Sequence, residues 1–208
     1  MIRICTLQTE SLPRSEQLLD ALSFEVGEDK RRALSRAKTA RESLAGLSLL
    51  QKMAAGAGID LFGKSLAYEA GGRPYFPGLP LDFSITHTAS LVACALSLPS
   101  SPDAPPVRIG LDAEVLGARS LESMGRIASR FFTDAEREVF LASPDESTFL
   151  KIWTGKEALC KQDGIGLSGI AQFDTLAPEN RPRLTVYHTP SAILTLAASE
   201  ACECVFEG

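Results

Sequence analysis

The chain has 208 residues, 45% hydrophobic and 23% charged, an ordinary soluble composition with room for one large core or two small ones. Its net charge of −5 argues against a general nucleic-acid binder, and without a run of about eighteen apolar residues no membrane span is expected. Five cysteines without CxxC spacing, two histidines and an N-terminal segment lacking a long apolar core point to reduced thiols in the cytoplasm rather than a disulfide framework, a zinc site or secretion.

Residues 2–8 read as an edge strand and 14–23 as a short helix. From Glu28 to about Ala55, Leu34, Ala37, Ala40, Leu44, Leu47 and Ala54 recur at three- and four-residue steps, so one longer helix is expected. Gly71, Gly72 and the prolines at 74, 77 and 80 mark a loop. Residues 83–86 and 91–97 read as strands. The proline-rich stretch 99–106 is a loop or a linker between halves. A strand over 107–114 and a helix over 120–131 follow. Thr133, with Glu136 three residues on, forms a capping box that opens a helix over 134–141. A helix over 146–162 stops before Gly164, a suitable C-cap. Residues 182–188 and 192–198 close the pattern as strands. No internal repeat is visible, and mixed helices with antiparallel strands suggest α+β. Cys202 and Cys204 fit plain strand positions better than a soft-metal site, which wants more sulfur or nitrogen ligands.

The chemistry concentrates in two segments. In the strand Ile109-Gly-Leu-Asp112-Ala-Glu114, the two acids share one face, about 7 Å apart at Cα. In the helix, Trp153, Glu157 and Lys161 stack at four-residue steps. If these elements touch, three carboxylates and a lysine converge, a plausible Mg²⁺ site suited to phosphoryl chemistry. Each piece has a plainer alternative. Asp112 and Glu114 alone fit a solvent-facing pair, Glu157 and Lys161 an exposed i,i+4 pair, and Trp153 a packing residue. Against the first, apolar flanks surround the acids, and Gly110 leaves room for a close approach. Six cations in the twelve residues Lys30 to Arg41, including Arg36 and Lys38, form either a solvated helix face or a seat for a polyanionic small molecule. The alternating hydroxyls of Ser84, Thr86 and Thr88 around His87 could present donors to a phosphate, which would hold the histidine charged.

Taken in order, Gly72-Arg-Pro74, Phe83-Ser-Ile-Thr-His-Thr88, Ile109-Gly-Leu-Asp-Ala-Glu114, Arg130-Phe-Phe132 with Glu136, and Trp153-x-x-Lys156-Glu-Ala158-x-x-Lys161 ending in Gly164-x-Gly-Leu167 resemble the surfactin-type 4′-phosphopantetheinyl transferases. The matches span about residues 71–167. Arg73 takes the place of the family's usual lysine. The family's usual Asn-Ile-Ser-His-Ser becomes Ser84-Ile-Thr-His-Thr88, which keeps the hydroxyls and loses an amide. In the N-terminal half, Arg41-Glu-Ser43-Leu-Ala-Gly46 resembles the family's basic helix segment.

The resemblance implies a pseudo-dimer within one chain, with halves at 1–103 and 104–208. Each half would be a long helix on a small antiparallel sheet, with the active site in the cleft between them. It implies Mg²⁺-dependent transfer of the phosphopantetheine arm of coenzyme A to a serine of an apo acyl or peptidyl carrier protein, releasing 3′,5′-ADP. Asp112, Glu114 and Glu157 would ligate the metal, with Asp112, Glu157 and Lys161 as the catalytic set. Arg36, Arg41, Arg73, Thr86, His87, Lys156 and Lys161, with Asp112, would contact coenzyme A. Near a metal and a lysine, Glu157 is expected to stay ionised at neutral pH. Length and internal pseudo-symmetry favour a monomer. Two rival functions use the same residues: a metal-dependent phosphohydrolase, which would often bring more histidines or a second metal, and a non-catalytic module binding coenzyme A or a carrier, which losing one of the three acids would favour.

Overall fold

The computed structural model describes residues 1–37, 39–200 and 203–207; Lys38 and Cys202 lie outside the described residues, as does the side chain of Arg36. In chain order the elements are β1 Ile2–Gln8, α1 Ser15–Asp20, β2 Glu25–Val26, α2 Glu28–Arg36, α3 Ala40–Gly56, β3 Ser65–Tyr68, β4 Pro74–Tyr75, β5 Asp82–His87, β6 Leu91–Ser97, β7 Ile109–Val115, α4 Leu121–Phe131, α5 Asp134–Ala142, α6 Glu146–Asp163, β8 Leu184–His188, β9 Ala192–Ala198 and β10 Cys204–Glu207. Among the described residues, no helix is long and apolar enough to cross a membrane.

The fold is α+β, with helices packed on small sheets. One sheet has the order β10-β1-β6-β5 and another β7-β9-β8; a third, β2-β3-β4, is small. β6 shows why they stack. Its even residues Val92, Cys94 and Leu96 pack with Leu44, Leu50 and Met53 of α3. Its odd residues Leu91, Ala93 and Ala95 pack with Leu111 of β7 and Leu194 of β9. A strand buried on both faces must be apolar at every position, as β6 is, apart from Ser97 at its end. On the far side α6 lies on β7 and β9, with Ala158 and Leu159 in one apolar cluster with Ala197. The layers therefore run α3, four-stranded sheet, three-stranded sheet, α6.

Three expectations are corrected. β1 is not an edge strand, because β10 returns and pairs with it in parallel, Ile2 opposite Cys204. That pairing also makes the first sheet mixed rather than antiparallel. The single helix expected over 28–55 is two. Ala37 is extended (φ −69°, ψ 142°), and the chain restarts at Thr39. α2 is charged and almost wholly exposed, whereas α3 carries the apolar face, so the two helices meet different surroundings and part. The loop expected around residues 71–80 contains the short strand β4, antiparallel to β3.

The edges of the two larger sheets meet at β5 and β7, and side chains join them. Asp82, Ser84 and Thr86 share one face of β5. Asp82 Oδ2 accepts from the Ile109 N–H at 2.8 Å, and Ser84 Oγ accepts from the Leu111 N–H at 2.8 Å. Thr86 Oγ1 donates to Asp112 Oδ1 at 3.1 Å. Edge N–H groups that would otherwise be buried unpaired are satisfied this way. Gly110 lets α6 close over the join, since a Cβ there would sit 2.0 Å from the Ala158 carbonyl oxygen and 2.5 Å from the Gln162 nitrogen. Both obstacles are backbone. Gly110→Ala is therefore expected to cost roughly 3 kcal/mol or more in urea unfolding. Gly125→Ala, in α4 with nothing within 4 Å of the new methyl, is expected to stabilise by about 0.5–1 kcal/mol.

Candidate active site

Asp112 is 3% exposed. Its Oδ1 accepts from Lys161 Nζ at 2.7 Å as well as from Thr86. Lys161 Nζ also donates to the Leu111 carbonyl at 3.0 Å. Asp112 Oδ2 is buried and has no partner. Glu157, one helical turn before Lys161, faces the same acid. Burial is the main cause that raises its carboxyl to about 8; the Asp112 charge comes next, and Lys161 only partly offsets them. Glu114, two residues along β7, adds to that repulsion and is itself held by Arg119 Nη2 at 2.7 Å. The proton affinity of Glu157 is thus raised in the metal-free protein. The ionised Glu157 expected beside a metal is a different state, in which a bound cation would lower that affinity again.

These groups line a cleft of about 450 Å³, together with Gly71, Gly72, Arg73, Thr86, His87, Cys160, Gly164, Gly166 and Leu167. The cleft is built from two stretches of the chain, residues 71–87 and 112–167. Gly164 adopts φ 72°, ending α6 in a left-handed residue and turning Gly166 and Leu167 toward the mouth. Gly71 passes so close that a Cβ there would meet the Gly164 carbonyl oxygen at 1.5 Å.

Among the described residues no group of three His, Cys, Asp or Glu side chains stands as a ready-made metal cluster. Two of the acids hold protein cations instead: Asp112 has Lys161, and Glu114 has Arg119. The donor set nevertheless fits a divalent ion. Three carboxylates crowd one cleft, one buried oxygen has no partner among the described residues, and burial, then the Asp112 charge, raises the proton affinity of Glu157. An oxygen-rich and nitrogen-poor set suits a hard cation such as Mg²⁺.

A 4′-phosphopantetheinyl transferase of Bacillus subtilis is 34% identical over 163 residues, covering 76% of this chain and 67% of the relative. The chain belongs to the 4′-phosphopantetheinyl transferase superfamily. The family model of that description matches residues 108–203, which hold β7, α6 and the acids. The transferase HetI of Nostoc sp. is 26% identical over 170 residues, 78% of this chain and 68% of HetI. The transferase Sfp of Bacillus subtilis is 41% identical over 101 residues, 47% of this chain and 40% of Sfp.

The remaining residues singled out in this transferase fall differently. His87 lines the cleft, with Nε2 at 3.2 Å from Ser43 Oγ; burial first, and the Lys161 charge second, lower its proton affinity. Thr86 lines the cleft too, but its hydroxyl donates to Asp112; that of Ser84 accepts from the Leu111 N–H and keeps its own proton. Thr88 caps its own turn, accepting from the N–H groups of Ser90 and Leu91. The Arg73 guanidinium, 4% exposed, is turned to Asp82 (2.6 and 2.5 Å) and the Lys161 carbonyl (2.8 Å) rather than offered to a phosphate. Arg41 donates to the Thr9 carbonyl and is not among the cleft residues. The basic helix is locally balanced: Arg31 faces Asp20, Arg32 pairs with Asp29, and Lys30 lies over the Tyr68 ring. Trp153 packs between Phe131 and Phe149.

Lys156 is the clearest departure. A helix turns about 100° per residue, so Lys156 points away from the face that carries Glu157. Its ammonium is fully buried, donating to Glu136 at 2.6 Å and to the Phe173 carbonyl. It is not presented to coenzyme A. Cys160, which lines the cleft, and Arg119, which holds Glu114 behind it, were not anticipated. Removing one member of a fully buried pair strands the other, so Lys156→Ala is expected to lower stability by about 3–5 kcal/mol in denaturant unfolding. Retained stability would put Lys156 back among the accessible cations.

Proposed function

We propose that this transferase moves the 4′-phosphopantetheine arm of coenzyme A to a serine hydroxyl of an apo acyl or peptidyl carrier protein, with 3′,5′-ADP as the other product. One observation carries the reading: three acids and one lysine share a cleft in which a buried Asp112 oxygen has no partner. Relatives named 4′-phosphopantetheinyl transferases support it. We read 1–103 and 104–208 as the two halves of a pseudo-dimer. In support, α3 and α6 each back one sheet, and both stretches line the cleft.

Asp112, Glu114 and Glu157 would hold Mg²⁺, which supplies neutralisation of the pyrophosphate oxygen charge. The serine oxygen forms a bond to the phosphorus that bears the pantetheine, and the bond from that phosphorus to the leaving 3′,5′-ADP breaks, the electron pair departing with the ADP. Glu157 takes the serine proton, directly or through a water; a bound cation would offset the burial that raises its carboxyl in the empty cleft and leave it ionised to accept. Lys161, fixed by Asp112 and the Leu111 carbonyl, stabilises charge on the reacting phosphate or the leaving group. His87 would meet a coenzyme A phosphate at the β5 wall, and a phosphate there would restore its proton affinity; Thr86, whose hydroxyl is given to Asp112, would reach one only by releasing that bond. Positioning and charge neutralisation are what displacement at phosphorus chiefly needs.

Incubation with coenzyme A, Mg²⁺ and an apo carrier protein should raise the carrier's mass by one phosphopantetheine, only when Mg²⁺ is present. Phosphate release without labelling would point to a phosphohydrolase, and inert binding to a non-catalytic module. Asp112→Ala and Glu157→Gln should each suppress labelling by at least about 100-fold in folded protein; wild-type rates in either would remove the metal assignment.

A pH dependence follows from Glu157. Its folded value of about 8 lies above the ordinary 4.5, so the stability it contributes is full below about 4.5 and is lost as pH rises through about 8. The loss is on the order of a few kcal/mol. Metal-free wild type should therefore lose stability relative to Glu157→Gln between about pH 5 and pH 8.5, and Mg²⁺ should raise the wild-type melting temperature more at the alkaline end. Parallel pH profiles for the two proteins would contradict the assignment.

A further inference from the structure

Arg119 has no part in the reading above, yet it is the only cation among the described residues recorded against Glu114. It reaches back across a tight turn. Gly117 adopts φ +79°, a left-handed conformation that other residues rarely take. The Gly117 N–H donates to both carboxylate oxygens of Glu146, at 2.9 and 2.8 Å, which ties the turn to the start of α6. The Leu116 N–H donates to the Ser191 carbonyl at 2.8 Å, which ties it to the start of β9. The turn is therefore fixed on both sides, and Arg119 is aimed by the fold rather than by chance.

Two details separate this pair from surface decoration. Arg119 Nε is buried without a partner among the described residues, an arrangement that costs folding free energy. The contact is also monodentate: one Nη2 hydrogen bond, to Oε1 alone, where a free arginine and carboxylate would close a two-pronged fork. Among the described residues, no hydrogen bond engages the second oxygen of Glu114, on the cleft-lining side chain. Hydrogen-bonding one oxygen of a carboxylate while leaving the other for a metal is how protein groups outside the coordination shell orient ligands.

We infer that Arg119 is a positioning residue, which holds Glu114 by one oxygen so that the other is presented to the divalent cation. This deepens the metal reading of the cleft and rests on it. Arg119 touches neither substrate nor metal; it acts through Glu114. Without it, Glu114 would swing among solvent rotamers, and each metal-binding event would have to order it.

Binding of Mn²⁺, followed by the spectroscopic signal of the free ion and by calorimetry without coenzyme A, tests this directly. Arg119→Ala is expected to weaken Mn²⁺ binding about 10- to 100-fold, with an unchanged far-ultraviolet spectrum. Arg119→Lys, which keeps the charge but not the planar fork, should fall between alanine and wild type. If Arg119→Ala binds Mn²⁺ as tightly as wild type, or more tightly because a competing cation has gone, the inference is overturned. Should Arg119→Ala fail to fold, Arg119→Met, which fills similar space without a donor, decides: wild-type affinity there overturns the inference, and weakened affinity in a folded protein supports it. Wild type and Asp112→Ala serve as the reference pair. Mn²⁺ binding by neither would overturn the metal reading itself and the inference with it, whereas binding lost in Asp112→Ala but untouched in Arg119→Ala would overturn the inference alone.

Discussion

Two sheet edges meet at β5 and β7, and the way they are joined sets the position of everything in the cleft. Backbone pairing between them would have made one continuous sheet and turned the β7 side chains with it. The join instead uses side chains of β5 on one part of β7: Asp82 and Ser84 take N–H groups, and Thr86 takes the Asp112 carboxylate. Because residues 82, 84 and 86 fall on one face, a single strand register fixes all three contacts. A slip of one residue would release β7 and strand Asp112 together.

The end of α6 is held by the same region. Arg73 donates to the Lys161 carbonyl and Arg108 Nε to the Gln162 carbonyl, at 2.8 and 2.5 Å. These are carbonyls of the last turn, where a helix carries its negative end and lacks internal partners. Each arginine is anchored in turn, Arg73 on Asp82 and Arg108 on Glu69. Asp82 thus links the sheet join to the helix end, and the relative placement of Asp112 and Lys161 follows from both. The arginine that resemblance assigns to a phosphate is occupied with this structural task.

What could be read from sequence follows the range of the interactions. The shared face of Asp112 and Glu114 and the stacking of Glu157 on Lys161 are local periodicities, and the structure brings these four side chains to one cleft. The room expected at Gly110 is room for the α6 backbone, and the Thr133 and Glu136 box closes as its spacing implies. Partner choice was not legible. Nothing near Lys156 in sequence says that Glu136 waits for it across the α5–α6 contact, and nothing near Arg73 names Asp82. Burial depth was equally hidden, and burial is the first cause that raises the proton affinity of Glu157 in the metal-free cleft. β10 was missed as a partner of β1 because a four-residue strand carries too little periodicity, and its pairing lies across the whole length of the chain.

α6 carries two lysine–carboxylate pairs, and the contrast between them separates scaffold from site. Lys156 and Glu136 are both fully buried, and every oxygen of Glu136 is used: Oε2 by Lys156 and the Thr133 N–H, Oε1 by the Thr175 N–H and hydroxyl. A closed network of this kind has nothing left to offer a ligand, and its role is to fasten α5 and the 173–175 segment to α6. Lys161 and Asp112 are made of the same groups at nearly the same distance, yet one oxygen of Asp112 is left without a donor. Glu157 is pressed beside that pair, and burial first, then the Asp112 charge, raises its proton affinity. Folding alone would favour closing the second network as it closes the first. That the fold leaves it open, in the one place where α6, β5 and β7 leave a cleft, is the physical reason to assign the chemistry there and the stability to its neighbour one residue away on the same helix.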